Sequence, residues 1–364
     1  MEPLYNERLV NFRKVLAEKN LAYFLVTKQE NVRYISGFSG DSTWLLLSAQ
    51  EKLLFTDSRY TSQAQSECPD WEITRQESGL TGSIAKYQKH AGFTSLGVDG
   101  KDITLDTYQR LRGAVGDDVT VSNETDPCYE LREIKDAWEL AQLSQAFSVA
   151  DRALSILRKM IRPGMNERDI ALELSYQLCK CGADGAAFDI IVAAGPQGAW
   201  PHAKPGAYKL TVGDFITVDF GAMVNGYRSD MTRTFVLGQP DKTQTERYNL
   251  VLKAQEQALA AVKPGVMSKD LDALAREVIV QAGYGEYFGH GLGHGFGLEI
   301  HEAPRCSPFA SNETLKAGMT LTIEPGIYIP GWGGIRVEDS VVITNNGKEV
   351  LTRFPKKLDE MIIR

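Results

Sequence analysis

Two segments of this chain read alike, and they restrict its fold more than any other feature. Pro163-Gly164-Met165-Asn166-Glu167-Arg168-Asp169-Ile170 and Pro264-Gly265-Val266-Met267-Ser268-Lys269-Asp270-Leu271 lie 101 residues apart. In each, a long helical pattern ends at Pro-Gly, a pair that breaks helices, and an amphipathic helix follows. Asn166 or Glu167, and Ser268, stand where N-caps are expected. Two readings stay open. Helix-start chemistry can coincide by chance, or the region holds a duplicated α/β half whose strands make one sheet. In the second case a site between the halves would collect ligands from both.

Ahead of this region the pattern differs. Leu9, Val10, Phe12, Val15 and Leu16 share one helical face, and short apolar strands follow at 22–26, 44–47, 52–56, 96–99 and 119–121. Strands separated by helical stretches imply an α/β sheet. No Gly-x-Gly-x-x-Gly turn supports a dinucleotide site. A chain of 364 residues is expected to form about two domains. The boundary is expected near Asp126-Pro127-Cys128, giving domains 1–130 and 131–364, the second opening on a long helix from about Asp136 to Met160.

Composition excludes several classes. A net charge of −7 argues against nucleic acid as a partner. No apolar run reaches the roughly 18 residues of a membrane span, and the first residues lack a signal-peptide pattern. Five scattered cysteines do not form a disulfide framework, so a reducing, cytoplasmic setting is expected. Cys179-x-Cys181 lacks a second pair and reads as thiols on a helix.

The chemistry concentrates in the second part. Phe215–Phe220 and Tyr227–Val236 are strands by composition, and Asn225-Gly226 between them is a strong hairpin signal, because both positions tolerate positive φ. A two-residue loop makes paired residue numbers sum to 451, so Asp219 faces Thr232 and Asp230 faces Gly221. The two aspartates then lie diagonally on one face, about 7–8 Å apart, where they need a cation between them or raised pKa values. Further on, Gly289 to Gly297 holds five glycines in nine residues, interleaved with His290 and His294 and followed by His301. Such a run forms neither a stable helix nor a regular strand, but lets the backbone approach something closely. Glu324 ends the apolar strand 319–323. In the strand 335–343, alternation puts Arg336 and Glu338 on one face and Asp339 on the other. Alone, Glu338 could simply pair with Arg336. His90 reads as a surface residue. Asp219, Asp230, His294, Glu324 and Glu338 together offer one imidazole and four carboxylates, a set suited to a pair of divalent ions such as Mn²⁺, Co²⁺ or Zn²⁺. Shared carboxylates would let two ions polarise a bridging water to hydroxide at neutral pH.

This set, in this order, resembles the pita-bread metallopeptidases, and the stretch from His290 to Glu302 resembles the signature of their proline-peptidase branch. Asn31 to Gly40 and Thr56-Asp57-Ser58-Arg59-Tyr60 are similar to the N-terminal domain of aminopeptidase P and its relatives. The resemblance implies an α/β (α+β) chain with a creatinase/prolidase-type N-terminal domain and a pita-bread catalytic domain of pseudo-twofold halves. It implies two divalent ions, Mn²⁺ foremost, bridged by Asp219 and Glu338, with Asp230 on one ion and His294 and Glu324 on the other. Glu324 would also shuttle a proton. His202 and His301 would face substrate, His290 would contact the carbonyl beyond the proline, and Arg336 would orient these groups. Phe188 reads equally as a pocket wall or a core aromatic. The implied activity is cleavage of an N-terminal Xaa-Pro bond, by an Xaa-Pro aminopeptidase on the strength of Asp57–Tyr60 and the chain length. An Xaa-Pro dipeptidase (prolidase) is the alternative, and a non-catalytic pita-bread binding protein a remote one. A homodimer acting on peptides with proline second is implied.

Overall fold

The structure, a computed structural model, describes residues 2–364. The chain divides into two compact units, one running to Arg132 and one from Glu133 to Arg364. No described helix is long and apolar enough to cross a membrane.

The first unit is built on a six-stranded mixed sheet, in spatial order Glu72–Arg75, Lys52–Thr56, Trp44–Ser48, Tyr23–Val26, Ser95–Val98 and Thr120–Asn123. The apolar runs Tyr23–Val26, Trp44–Ser48 and Lys52–Thr56 are buried almost throughout, which is why composition finds them. Glu72–Arg75 escapes a composition reading because it is a polar edge strand with no fully buried residue. The helices Tyr5–Glu18, Gly79–Ala91 and Leu105–Val115 each bury one stripe.

The second unit carries the repeat. Asn166 caps the helix Glu167–Lys180 by accepting from Asp169 N, as expected. Ser268 instead opens the helix Ser268–Gln281, whose N-cap is Met267, and its hydroxyl accepts from Glu313 N. The two halves nevertheless make matching backbone bonds. Gly164 N and Leu210 N pair with Leu210 O and Met165 O, while Gly265 N and Leu315 N pair with Leu315 O and Val266 O. The long helices Ala137–Arg158 and Lys242–Ala261 both start with a capping box, at Asp136/Glu139 and Asp241/Gln244. This regularity goes well beyond shared helix-start chemistry, and the duplicated-half reading holds.

Each half contributes a long β-ribbon broken in the middle. In the first, Phe215–Phe220 pairs with Met231–Leu237, and Ala222–Val224 with Tyr227–Arg228. In the second, Thr320–Ile323 pairs with Asp339–Thr344, and Gly326–Ile329 with Gly333–Arg336. Every pair in the first ribbon sums to 451, and Asn225 and Gly226 adopt the positive φ values the turn requires, 49° and 78°. The continuous strands expected at 227–236 and 335–343 are each interrupted. Asp230 lies in the first interruption and Glu338 in the second, while Glu324 follows directly on Thr320–Ile323. A break frees local backbone from the ladder and lets a ligand side chain turn inward. At Gly221 the crossing is so close that a Cβ would lie 1.8 Å from Ser229 O.

Candidate metal centre

The two breaks are tied to each other. Ser340 Oγ donates to Asp230 O at 2.8 Å, Glu338 N to Thr232 O at 3.3 Å, and Thr234 Oγ1 to Arg336 O at 2.9 Å. Arg233, fully buried, donates to Glu338 O and, at 3.0 Å, to Asp339. Carboxylate oxygens of Asp219, Asp230 and Glu338 consequently lie within 4.8 Å of one another. His294 Nε2 stands 3.6 Å from Asp230 and 3.4 Å from Glu324. All five expected ligands thus converge, and they come from both halves.

The hydrogen bonds decide what these groups can do. His294 Nδ1 lies 3.0 Å from Gly295 O, which can only accept, so Nδ1 carries the proton and Nε2 presents its lone pair. Burial pushes the His294 pKa down to about 3, so the ring is neutral. The lone pair therefore faces carboxylate oxygens. Asp219 Oδ1 and Glu338 Oε1 are buried with no hydrogen-bond partner among the described residues. Four carboxylates and an imidazole lone pair, with oxygens left unpaired, are what a divalent cation satisfies and what a closed protein core avoids. The donor set therefore fits a metal. In its absence burial, then neighbouring charge, raises Asp230 and Glu338 well above the ordinary carboxyl range, and burial takes Glu324 to about 8.

Arg336 does not pair with Glu338. Its guanidinium reaches Asp219 Oδ2 at 2.6 Å, Thr232 Oγ1 at 3.1 Å and Tyr328 Oη at 2.8 Å, and Thr232 in turn donates to Glu338 Oε2 at 2.8 Å. One buried cation thus aligns both of the expected bridging carboxylates. Asp339 points the other way, as alternation requires. That face is another buried ionic cluster, with Arg233, Lys356, Gln255 and Thr352.

A cleft of about 350 Å³ opens on the cluster, lined by His202, His290, His301, Glu324 and Arg336 together with Phe188, Ile191 and Ile300. Phe188 is a pocket wall. His301 is exposed, its ring centre 4.4 Å from that of His294. His290 is more committed than the sequence suggests. Its Nδ1 donates to Gly291 O at 2.7 Å and its Nε2 accepts from Tyr328 Oη at 2.8 Å, so in this tautomer Nε2 has no proton to offer a substrate carbonyl. His90 is exposed, in the other unit. Sequence reading missed Tyr328, Thr232, Thr322 and Arg305. Tyr328 sits opposite Gly334, two residues from Arg336, so alternation could have found it had the length of the turn at 330–332 been known.

The glycine run approaches backbone closely, as expected, but it does form a short strand, Gly293–Gly295, with a register shift after His294. A Cβ on Gly293 would lie 2.0 Å from Thr322 O. Backbone cannot rotate away, so Gly293→Ala is expected to lower Tm by roughly 5–10 °C and to weaken metal binding. Calorimetry and a cobalt titration would check this; an unchanged Tm would show that the close approach does not matter.

Residues 141–345 match the model of "Metallopeptidase family M24", and residues 8–134 that of the "Creatinase/Prolidase N-terminal domain". The chain is 37% identical to an Xaa-Pro dipeptidase of Pyrococcus furiosus, over 97% of this chain and 99% of that protein. Among solved structures it is similar to an Xaa-Pro dipeptidase from Bacillus anthracis, with a TM-score of 0.94 and 38% identity over 98% of this chain and 99% of that one. It is also similar to an X-Pro aminopeptidase from Thermotoga maritima, with a TM-score of 0.90 and 36% identity over 98% and 99%. Two broken ribbons holding a cluster of acceptors, a creatinase/prolidase-type domain ahead of them, and relatives matched end to end lead to one conclusion: the chain belongs to metallopeptidase family M24.

Proposed function

We propose that this protein hydrolyses the bond preceding proline in short peptides, with Xaa-Pro dipeptides as preferred substrates, using two divalent ions. The observation that carries the proposal is the acceptor-only cluster: the His294 lone pair and four carboxylates, two with unpaired buried oxygens, at the floor of a cleft. In this reading Asp219, Asp230, His294, Glu324 and Glu338 would hold the ions. Such ions, when bound, act as Lewis acids and activate water at neutral pH. The protein's own groups do the rest. Glu324, with one oxygen held by Thr322 Oγ1 at 3.1 Å, has its second oxygen to receive a proton and pass it to the leaving amine. His301 and His202, on the cleft wall, donate to the developing oxyanion or receive the substrate's amine. His290 fixes Tyr328 against Arg336. Phe188, Ile191 and Ile300 offer apolar walls to a pyrrolidine ring, whose tertiary amide has no N–H to bind.

The preference for dipeptides departs from the aminopeptidase reading. Chain length and the Asp57–Tyr60 segment pointed there, yet relatives named as dipeptidases match this chain over the same length, so length does not discriminate. Arg305 adds a cation on the cleft wall, and it suits the free carboxylate of a C-terminal proline. The aminopeptidase reading keeps the support of the Thermotoga neighbour. Manganese, a homodimer and a cytoplasmic setting rest on the resemblance and composition alone.

The test is a rate comparison on Ala-Pro, Ala-Pro-Ala and Ala-Ala with Mn²⁺, Co²⁺ or Zn²⁺. Ala-Pro is expected to be fastest and Ala-Ala slower by about a hundred-fold. Arg305→Ala is expected to raise KM for Ala-Pro by about ten-fold or more and to leave the tripeptide nearly unaffected. Faster cleavage of the tripeptide would establish the aminopeptidase reading, and equal rates on Ala-Ala would remove proline specificity.

A further inference from the structure

The segment that carries His290 and His294 is too rich in glycine to hold its own path, and its backbone is gripped from outside. The grip comes from one pair of side chains on the Ser268–Gln281 helix. Asp272 Oδ1 accepts from Leu292 N at 2.9 Å. Arg276 donates to Phe288 O at 2.9 Å and to His290 O at 2.7 Å, and its guanidinium lies 4.1 Å from the centre of the Phe288 ring. The two side chains are locked together, four residues apart, by bonds of 2.7 and 3.0 Å, with the Asp272 side chain only 3% exposed. An exposed pair at this spacing is worth a few tenths of a kcal/mol and fixes nothing else. This one is half inside the protein, and three of its bonds go to alternate residues of one loop.

The grip is passed to the cluster. Leu292, held by Asp272 through its N–H, accepts from Glu324 N through its carbonyl at 2.9 Å. Two residues on, His294 N donates to Thr322 Oγ1 at 3.0 Å, the same hydroxyl that donates to Glu324. The other half does something similar. Glu167, fully buried at the start of the Glu167–Lys180 helix, accepts from Ala194 N at 2.8 Å and Gly206 N at 2.9 Å, on either side of the segment that bears His202. In both halves a carboxylate on the helix after Pro-Gly holds the histidine-bearing segment by backbone N–H, through one bond at Asp272 and two at Glu167.

We propose that Asp272 and Arg276 are positioning residues: a clamp that sets where His290, His294 and Glu324 stand, and so how tightly the centre binds metal. The second half of this statement rests on the metal reading above; the first does not. Among only five histidines, both His290 and His294 have Nδ1–H bonded to a carbonyl, which gives a signature that needs no metal. In metal-free protein labelled at histidine, two slowly exchanging imidazole N–H resonances are expected. Arg276→Ala and Asp272→Ala should broaden or exchange them, and Arg276→Lys should restore them in part. Cobalt titrations should show dissociation constants raised about ten-fold or more in the alanine variants, with an altered visible spectrum. Ile279→Ala, in the core on the same helix, reports the effect of lost stability alone and should leave the resonances and the cobalt affinity in place. The proposal fails if both resonances persist in Arg276→Ala, or if Ile279→Ala removes them equally. Wild-type protein that takes up no cobalt would end the metal reading and leave the imidazole spectra to decide the clamp by themselves.

Discussion

Glu338→Gln is expected to fold, to bind less metal, and to hydrolyse Xaa-Pro peptides at least about a thousand-fold more slowly than the wild type. The substitution keeps the side-chain shape, so Thr232 Oγ1 still finds an oxygen to donate to. What changes is the second position. A buried, unpaired oxygen becomes an NH₂ group in a side chain that lies beside the carboxylates of Asp219 and Asp230. The amide both removes a charge that two cations would share and fills their place with donors. Without metal, the variant should therefore be more stable than metal-free wild type at alkaline pH, where the buried Glu338 carboxyl must give up its proton and the neutral amide has none to lose. Metal content by mass spectrometry, kcat, and the Tm of metal-free protein would be read together. Full metal content with normal turnover would sink the assignment of Glu338. Asp339→Asn acts on the opposite face of the strand. It breaks a buried ionic cluster with Arg233 and Lys356 and should lower Tm, leaving metal content per folded molecule unchanged.

Removing metal should also make stability fall as pH rises, and adding it should reverse that fall. Glu324, Asp230 and Glu338 are raised in the metal-free protein, chiefly by burial. A group whose folded pKa is raised contributes stability that is full below its unfolded pKa and is lost as pH rises to the folded value. For Glu324 that window runs from 4.5 to about 8. The histidines act in the opposite sense. Burial lowers His290 to about 4 and His294 to about 3, so their contribution is full above 6.5 and is lost as pH falls. Below pH 6.5 the two effects oppose each other. Between about pH 6.5 and 8 only the carboxylates act, and a tenfold difference in proton affinity between folded and unfolded chain is worth about 1.4 kcal/mol. Metal-free protein should lose Tm over that interval. Bound cations keep the carboxylates ionised, so the Tm gap between loaded and metal-free protein should widen from pH 6.5 to 8. A gap that stays constant would mean that these carboxyl groups do not meet the metal.

Several parts of this were legible in the sequence because their causes are local. Asn225-Gly226 specifies a two-residue turn through backbone sterics, and the turn fixes a register that side-chain alternation carries to Asp219. The Pro-Gly pairs mark two helix starts, and the glycines at 293 and 295 announce a close approach before the thing approached is known. Other parts misled for equally local reasons. Polar residues such as Asp230 and Glu338 do interrupt the apolar pattern of 227–236 and 335–343, but unbroken strands also carry polar residues, as Phe215–Phe220 carries Asp219, so composition does not mark where the two strands break. Ser268 has N-cap chemistry, yet its hydroxyl serves Glu313 in a distant loop.

By itself, then, the sequence determined which donors are available, the register of the first ribbon and the two alike Pro-Gly helix starts that made related halves one of two readings. Periodicity and turn sterics act over a few residues and need no partner. Only the tertiary structure decided that Asp219 and Glu338, 119 positions apart, share one Arg336–Thr232 bridge. It also decided that Asp339 belongs to a second ionic cluster, that His290 is committed to Tyr328, and that Asp272 and Arg276 hold the glycine-rich segment in place. Each of these depends on which faces of the two halves pack together. That is settled by burying apolar surface across the whole unit, and no local pattern of residues encodes it.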